Sequence, residues 1–108
     1  MSSDAARAGL AGHVRDALRV VDDPELGVDI VSLGLVYDVS VDQVGRARVV
    51  FSLTPMGCPI GPMIERDIVR AAQRVDGVET VETELVFDPP WSPARMADEV
   101  RFALGYLL

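Results

Sequence analysis

The chain has one cysteine, Cys58, within Thr54-Pro55-Met56-Gly57-Cys58-Pro59, between a strand-like run that ends near Leu53 and a helical pattern that begins near Ile60. At the start of a helix the unpaired backbone N–H groups and the helix dipole favour an anion, and a thiolate is one. Such a setting draws a thiol's pKa down toward neutrality, so that the sulfur can act as a nucleophile or a metal ligand. Gly57 and Gly61 let other atoms approach closely, and Pro55 and Pro59 hold the loop in shape. Thr54 either donates a hydrogen bond to a sulfur or ligand or simply closes the preceding strand, where Thr is common. Cys58 itself is either a reactive thiol or a small buried hydrophobe. Its place on a loop between regular elements, flanked by Gly and Pro, favours the reactive reading.

Asp22-Asp23-Pro24-Glu25 puts three carboxylates at the end of a predicted helix, where the dipole opposes negative charge. Hard carboxylate oxygens from this group beside the soft sulfur of Cys58 would make a donor mixture that suits iron, although the spacing by itself is no metal motif. The same residues are also ordinary turn formers. Trp91, after Pro89-Pro90, is either an aromatic plug over the core or an anchor for a partner. His13 falls on the polar side of the first helix, so no Cys-His pair is proposed and no enzymatic base stands beside Cys58. Arg66, Arg70 and Arg74 form a row along one helix, read first as a solvated face and second as a ridge for an acidic partner.

The elements that must position these residues follow from periodicity. Residues 1–9 carry no pattern and are expected to be flexible, with a single domain over 10–108. Leu10, Val14, Leu18 and Val21 have helical spacing, and Asp23-Pro24 should end that helix. An irregular connection is expected over residues 25–34. Leu35, Tyr37, Val39 and Val41 alternate as a first strand, and Ala47, Val49, Phe51 and Leu53 as a second, joined by a Gly45 hairpin loop. The simplest register sets Asp42 against Arg46 and Ser40 against Arg48. Ile60, Met63, Ile64, Ile68, Ala71, Ala72 and Val75 make a helical stripe that stops at Asp76-Gly77. Val81, Thr83, Leu85 and Phe87 form a third strand, and Ser92-Pro93 should cap a last helix bearing Met96, Val100 and Leu104. The order αββαβα describes an α/β fold of the α+β two-layer kind, a mixed sheet of three to four strands with helices on one face.

At 108 residues and 49% hydrophobic content the chain can build one core and no second domain. Its net charge of −7 repels phosphate backbones, which argues against nucleic acid as a partner. No apolar run reaches the roughly 18 residues of a membrane span and no secretory pattern opens the chain, so the expected location is the cytoplasm. One cysteine cannot form an internal disulfide, in keeping with a reducing compartment.

Taken together, Asp23-Pro24-Glu25-Leu26-Gly27, Leu33-Gly34-Leu35-Val36-Tyr37, Gly57-Cys58-Pro59 and Pro89-Pro90-Trp91 resemble the SufT/PaaD family of metal-sulfur cluster biosynthesis proteins, from about Val14 to Gly105. The short ending is similar to SufT-like members, and the extra Cys-rich tail of the phenylacetate-related members is absent. The resemblance implies a maturation factor for iron-sulfur proteins, a non-enzymatic carrier or transfer adaptor that hands a cluster or iron to apo-proteins. It implies Cys58 as the reactive cysteine, Asp23 and Glu25 as the acidic motif, and Thr54, Gly57 and Pro59 as support, with Pro55-Met56 where members often carry a second Thr. The expected partners are the assembly machinery and its apo-protein clients. A cluster usually needs four Cys, so the cargo would be transient, with no cofactor held permanently and a homodimer as one way to pair two thiolates. The alternative is an adaptor that recruits clients through Trp91 without holding metal.

Overall fold

The computed structural model describes residues 3–54 and 60–105, arranged as two antiparallel or mixed sheets and three α-helices. Helix α1 spans Ser3–Ala17 and continues as a 3-10 turn, Leu18–Val20. It starts ahead of the Leu10 expected from apolar spacing, because the Ala-rich stretch through Ala5, Ala6 and Ala8 has high helix propensity and needs no core-facing pattern. It also stops before Asp23-Pro24: Val21 is already extended at φ −93° and ψ 114°. Val14, Leu18 and Val21 are buried as the spacing predicts.

The expected irregular connection contains a short ribbon, β1 (Asp22–Asp23) paired antiparallel with β2 (Val28–Asp29). Strands β3 (Val36–Val41) and β4 (Arg46–Phe51) then form the hairpin, with Ser40 opposite Arg48 as expected. Asp42 closes the turn: its Oδ1 accepts the Val44 and Arg46 amides at 3.0 and 2.9 Å. A register shift between Val36 and Asp38 takes Tyr37 out of the inward row, so Val36 is buried in its place and Tyr37 is half-buried. On β4 the inward row is as the alternation predicts, with Ala47, Val49, Phe51 and the following Leu53 buried.

Helix α2 spans Gly61–Gln73 and buries Ile64, Ile68, Ala71 and Ala72. It leads to β5 (Thr80–Leu85), which lies parallel to β4, giving the order β3-β4-β5. The strand ends at Leu85, and Phe87, expected on its inner row, is 56% exposed. Helix α1 packs on β3 and α2 on β5, and both contribute to one hydrophobic cluster, so the two helices share a face of the sheet. The other face carries Asp38, Ser40, Arg46, Arg48, Glu82 and Glu84, with Arg48 ion-paired to Glu84.

The single last helix expected from Ser92-Pro93 is instead two pieces, a 3-10 turn at Pro93–Arg95 and α3 at Asp98–Ala103. The Ala97 amide is taken by the Ser32 carbonyl at 2.8 Å and Met96 is extended and buried, which breaks the helical ladder between them. Ser92 makes no side-chain cap. No helix among the described residues is long and apolar enough to cross a membrane.

Ile68 is fully buried where α2 meets the sheet, whereas Arg66 on the same helix is exposed. Ile68→Ala should therefore lower unfolding free energy by about 2–5 kcal/mol, and Arg66→Ala by less than about 0.5 kcal/mol, in chemical denaturation.

Candidate functional site

Asp23 is 1% exposed, and its burial follows from the turn that it builds. Its Oδ1 accepts the Glu25 amide at 2.8 Å, and its carbonyl accepts the amides of Leu26 and Gly27 at 3.2 and 2.8 Å. This is an Asx turn closed by Gly27 at φ 69°, a backbone region that glycine enters without strain. Pro24 needs no donor at its position in the turn. Glu25, two residues on, is exposed. The acidic motif is thus divided: one carboxylate is committed inward to the fold, the other is exposed.

A second turn follows directly, in which Asp29 Oδ2 accepts the Ser32 amide at 2.9 Å and its carbonyl accepts Leu33. From there a ladder of backbone bonds crosses the molecule. Ile30 donates to Val21, Leu35 donates to Ile30, and Ser52, just past β4, donates to Leu35, at 2.8–3.0 Å. These three bonds link the backbone before the acidic turn to the exit of β4 through residues 30–35. Two residues beyond Ser52, Thr54 is 7% exposed, and the chain resumes in the described residues at Ile60. Gly57, Cys58 and Pro59 lie outside the described residues. Gly61 is buried against Leu53, whose Cδ1 would stand 3.1 Å from an added Cβ.

The C-terminal motif docks on the same strap of chain. Trp91 is half-buried against the core, and its indole Nε1 donates to the Leu33 carbonyl at 2.7 Å, so its place is that of the plug. Tyr37 donates its hydroxyl to the Pro89 carbonyl at 2.8 Å, and the Arg95 guanidinium lies 4.3 Å from the centre of the Tyr37 ring. Gly34, at φ 76°, runs under Arg95: a Cβ there would collide with the Arg95 carbonyl, 2.6 Å from its carbon. The sequence marks Asp23 as a carboxylate candidate, Gly34 as a motif residue and Trp91 as a plug or an anchor; it does not single out Asp29 or Ser52. Ser52 is buried, and its Oγ has no hydrogen-bond partner among the described residues. A Ser in an otherwise apolar strand end was the available signal.

Among the described residues no three His, Cys, Asp or Glu side chains group as a metal site. His13 is exposed on α1, and Arg66, Arg70 and Arg74 are exposed along α2. Arg70 and Arg74 line an open hollow of about 270 Å³ with Val20, Val21, Asp67 and Ala71.

Residues 12–83 match the family model described as iron-sulfur cluster assembly protein. The chain is 43% identical over 96 residues to the Fe-S protein maturation auxiliary factor YitW of Bacillus subtilis, covering 89% of this chain and 94% of that protein. It is also 43% identical over 86 residues to the Fe-S protein maturation auxiliary factor SufT of Staphylococcus aureus, covering 80% of this chain and 98% of the relative. A crystal structure of a domain of unknown function, DUF59, from Bacillus anthracis superposes with a TM-score of 0.90 at 37% identity, over 97% of this chain and all of that one.

Two substitutions test the docking of the C-terminal segment. Gly34→Ala should destabilise the fold by more than about 1 kcal/mol, since it meets both a positive φ and a backbone collision. Trp91→Phe keeps most of the plug and loses one hydrogen bond, so it should cost about 1–2 kcal/mol in the same denaturation experiment.

Proposed function

The chain belongs to the iron-sulfur cluster assembly protein family, and from that premise we propose that it is a maturation factor that passes an iron-sulfur cluster or iron to apo-proteins. The observation that supports this most is the breadth of the kinship: relatives named as Fe-S protein maturation auxiliary factors align over four-fifths or more of the chain. Residues 30–37, within the matched span, also receive the indole of Trp91 and, through Tyr37, the carbonyl of Pro89.

In this reading Cys58 is the thiolate that holds the cargo. One thiolate is far short of the four that usually cage a cluster, so the remaining coordination comes from elsewhere: a second copy, a small thiol, or the client itself. An incomplete shell suits transfer, because each ligand that the client supplies replaces one that the carrier never had. Glu25, exposed and unencumbered by the turn, is the freer of the two acidic candidates, whereas Asp23 has Oδ1 engaged by the Glu25 amide. Asp23 therefore acts first by holding the turn. Thr54, Gly57 and Pro59 support the thiol, and a homodimer would bring two thiolates to one cargo. The assembly machinery and apo-protein clients are the partners of such a factor. Trp91, its N–H already occupied, would offer a partner only the exposed part of its ring. A free thiol functions best in a reducing compartment, and this reading favours the cytoplasm.

Anaerobic incubation with iron and sulfide tests the thiol. Wild type should gain visible absorbance and bound iron, and should restore an apo-enzyme that needs a cluster; Cys58→Ser should lose both, by about tenfold or more. Equal iron content and equal transfer by Cys58→Ser would assign the thiol to structure. A wild type that stays colourless yet captures cluster-assembly proteins would make the chain an adaptor.

A further inference from the structure

The outer edge of β5 is unlike the rest of the sheet. β3 buries Val36 and Val41, and β4 buries Ala47, Val49 and Phe51, but β5 buries none of its residues. Val81 and Thr83 are half-buried, and Leu85 is 37% exposed beside the start of α2. Among the described residues no strand pairs with this edge. Beyond β5 the chain turns to the opposite side of the sheet, where Pro89 meets Tyr37 and Trp91 meets Leu33, and so leaves the edge open.

The edge is also regular. The amides of Thr80 and Val86 donate to the carbonyls of Gly45 and Phe51 on the β4 side. Parallel pairing alternates, so the N–H and C=O groups of Val81, Thr83 and Leu85 point away from β4. Thr80–Leu85 contains neither a proline nor a bulge, two of the devices that blunt exposed edges. Its only charges are Glu82 and Glu84, and both stand on the open face of the sheet, while Val81, Thr83 and Leu85 stand on the helix side.

Charge decides what fits. A second copy pairing antiparallel about Thr83 would keep apolar residues together but set Glu82 against Glu84 of the copy, twice; pairing about Glu82 would set that residue against itself. Directly opposed like charges destabilise a sheet. β4, the strand that β5 already accepts, reads Arg46-Ala47-Arg48-Val49-Val50-Phe51, with Arg48 against Glu82 in register and ion-paired to Glu84. We propose that the free edge of β5 takes up an antiparallel extended segment of a partner protein in which basic and apolar residues alternate, the basic ones opposite Glu82 and Glu84 and the apolar ones opposite Val81, Thr83 and Leu85. This is strand addition, with main-chain bonds giving affinity and alternate side chains giving selectivity. It requires no metal, so it stands or falls apart from cluster transfer.

The test uses a synthetic peptide of alternating arginine and valine, with binding to the full chain followed by fluorescence anisotropy at physiological ionic strength. In the antiparallel register the valine amides face β5 and the arginine amides face away. Methylating the valine nitrogens should weaken binding roughly tenfold or more, whereas methylating the arginine nitrogens should leave it intact. Thr83→Pro should give a similar loss, because its amide is not used by β4 and the sheet can persist, as far-UV circular dichroism would verify. Glu82→Arg should weaken the peptide and improve binding of its glutamate-valine counterpart. If Thr83→Pro fails to fold, the two methylated peptides decide on wild type alone. Equal binding of both methylated peptides, or of a peptide with its arginines and valines in separate blocks, would overturn the proposal in favour of nonspecific attraction to an acidic surface. A dimer abolished by Thr83→Pro would overturn it in favour of a second copy.

Discussion

Residues 30–35 form a buried strap whose backbone groups must all find partners without the help of a regular sheet. Ile30, Leu33 and Leu35 are inaccessible to solvent, and an unpaired buried N–H or C=O there would cost about 1–3 kcal/mol. Leu35 meets that demand by donating to Ile30 and accepting from Ser52, Ile30 by donating to Val21, Leu33 by accepting from Trp91, and Ser32 by accepting from Ala97. All of these bonds except the one between Leu35 and Ile30 tie the strap to another part of the chain. The backbone before the acidic turn, the exit of β4 and the C-terminal segment are each fastened to the strap. The break between the 3-10 turn and α3 has the same origin, since Ala97 serves the strap instead of a helix.

The parts of the fold with a short period were legible from residue types. The β4 row from Ala47 to Leu53, the pairing of Ser40 with Arg48, and the α2 stripe through Ile64 and Ile68 follow from spacing alone, because one face of each element is buried by a single core. What escaped was long-range. The bulge at Tyr37 is matched by a bond to Pro89, 52 residues away, and Trp91 reaches Leu33 across 58 residues. No local pattern encodes such closures. Phe87 followed the β5 alternation in sequence yet lies beyond the strand, because the chain has already turned toward Tyr37. At the candidate site the acidic motif was legible as a turn and as a carboxylate cluster, but its division into a buried Asp23 and an exposed Glu25 depends on the Asx bond and on β1–β2 pairing.

These features separate two requirements of a transfer factor. In the proposed role, holding a cargo loosely calls for few ligands, and the chain has one cysteine. Presenting it reproducibly calls for a rigid base, and the strap anchors both the acidic turn and the strand exit that precedes Cys58. The carboxylate of Asp23 is engaged in the turn, its Oδ1 accepting the Glu25 amide. The open edge of β5 ends at the same side of the sheet, since β4 and β5 run parallel with Phe51 level with Leu85.

The claim that the strap makes one body of the acidic turn, the β4 exit and the C-terminal segment is tested most directly by native-state amide hydrogen exchange. The amides of Ile30, Leu35, Ser52 and Ala97 should exchange as slowly as those in the middle of β4, through global unfolding alone. Exchange of Ile30 and Leu35 orders of magnitude faster than that of Val49, with the sheet still protected, would contradict it and make the acidic turn an independently moving piece.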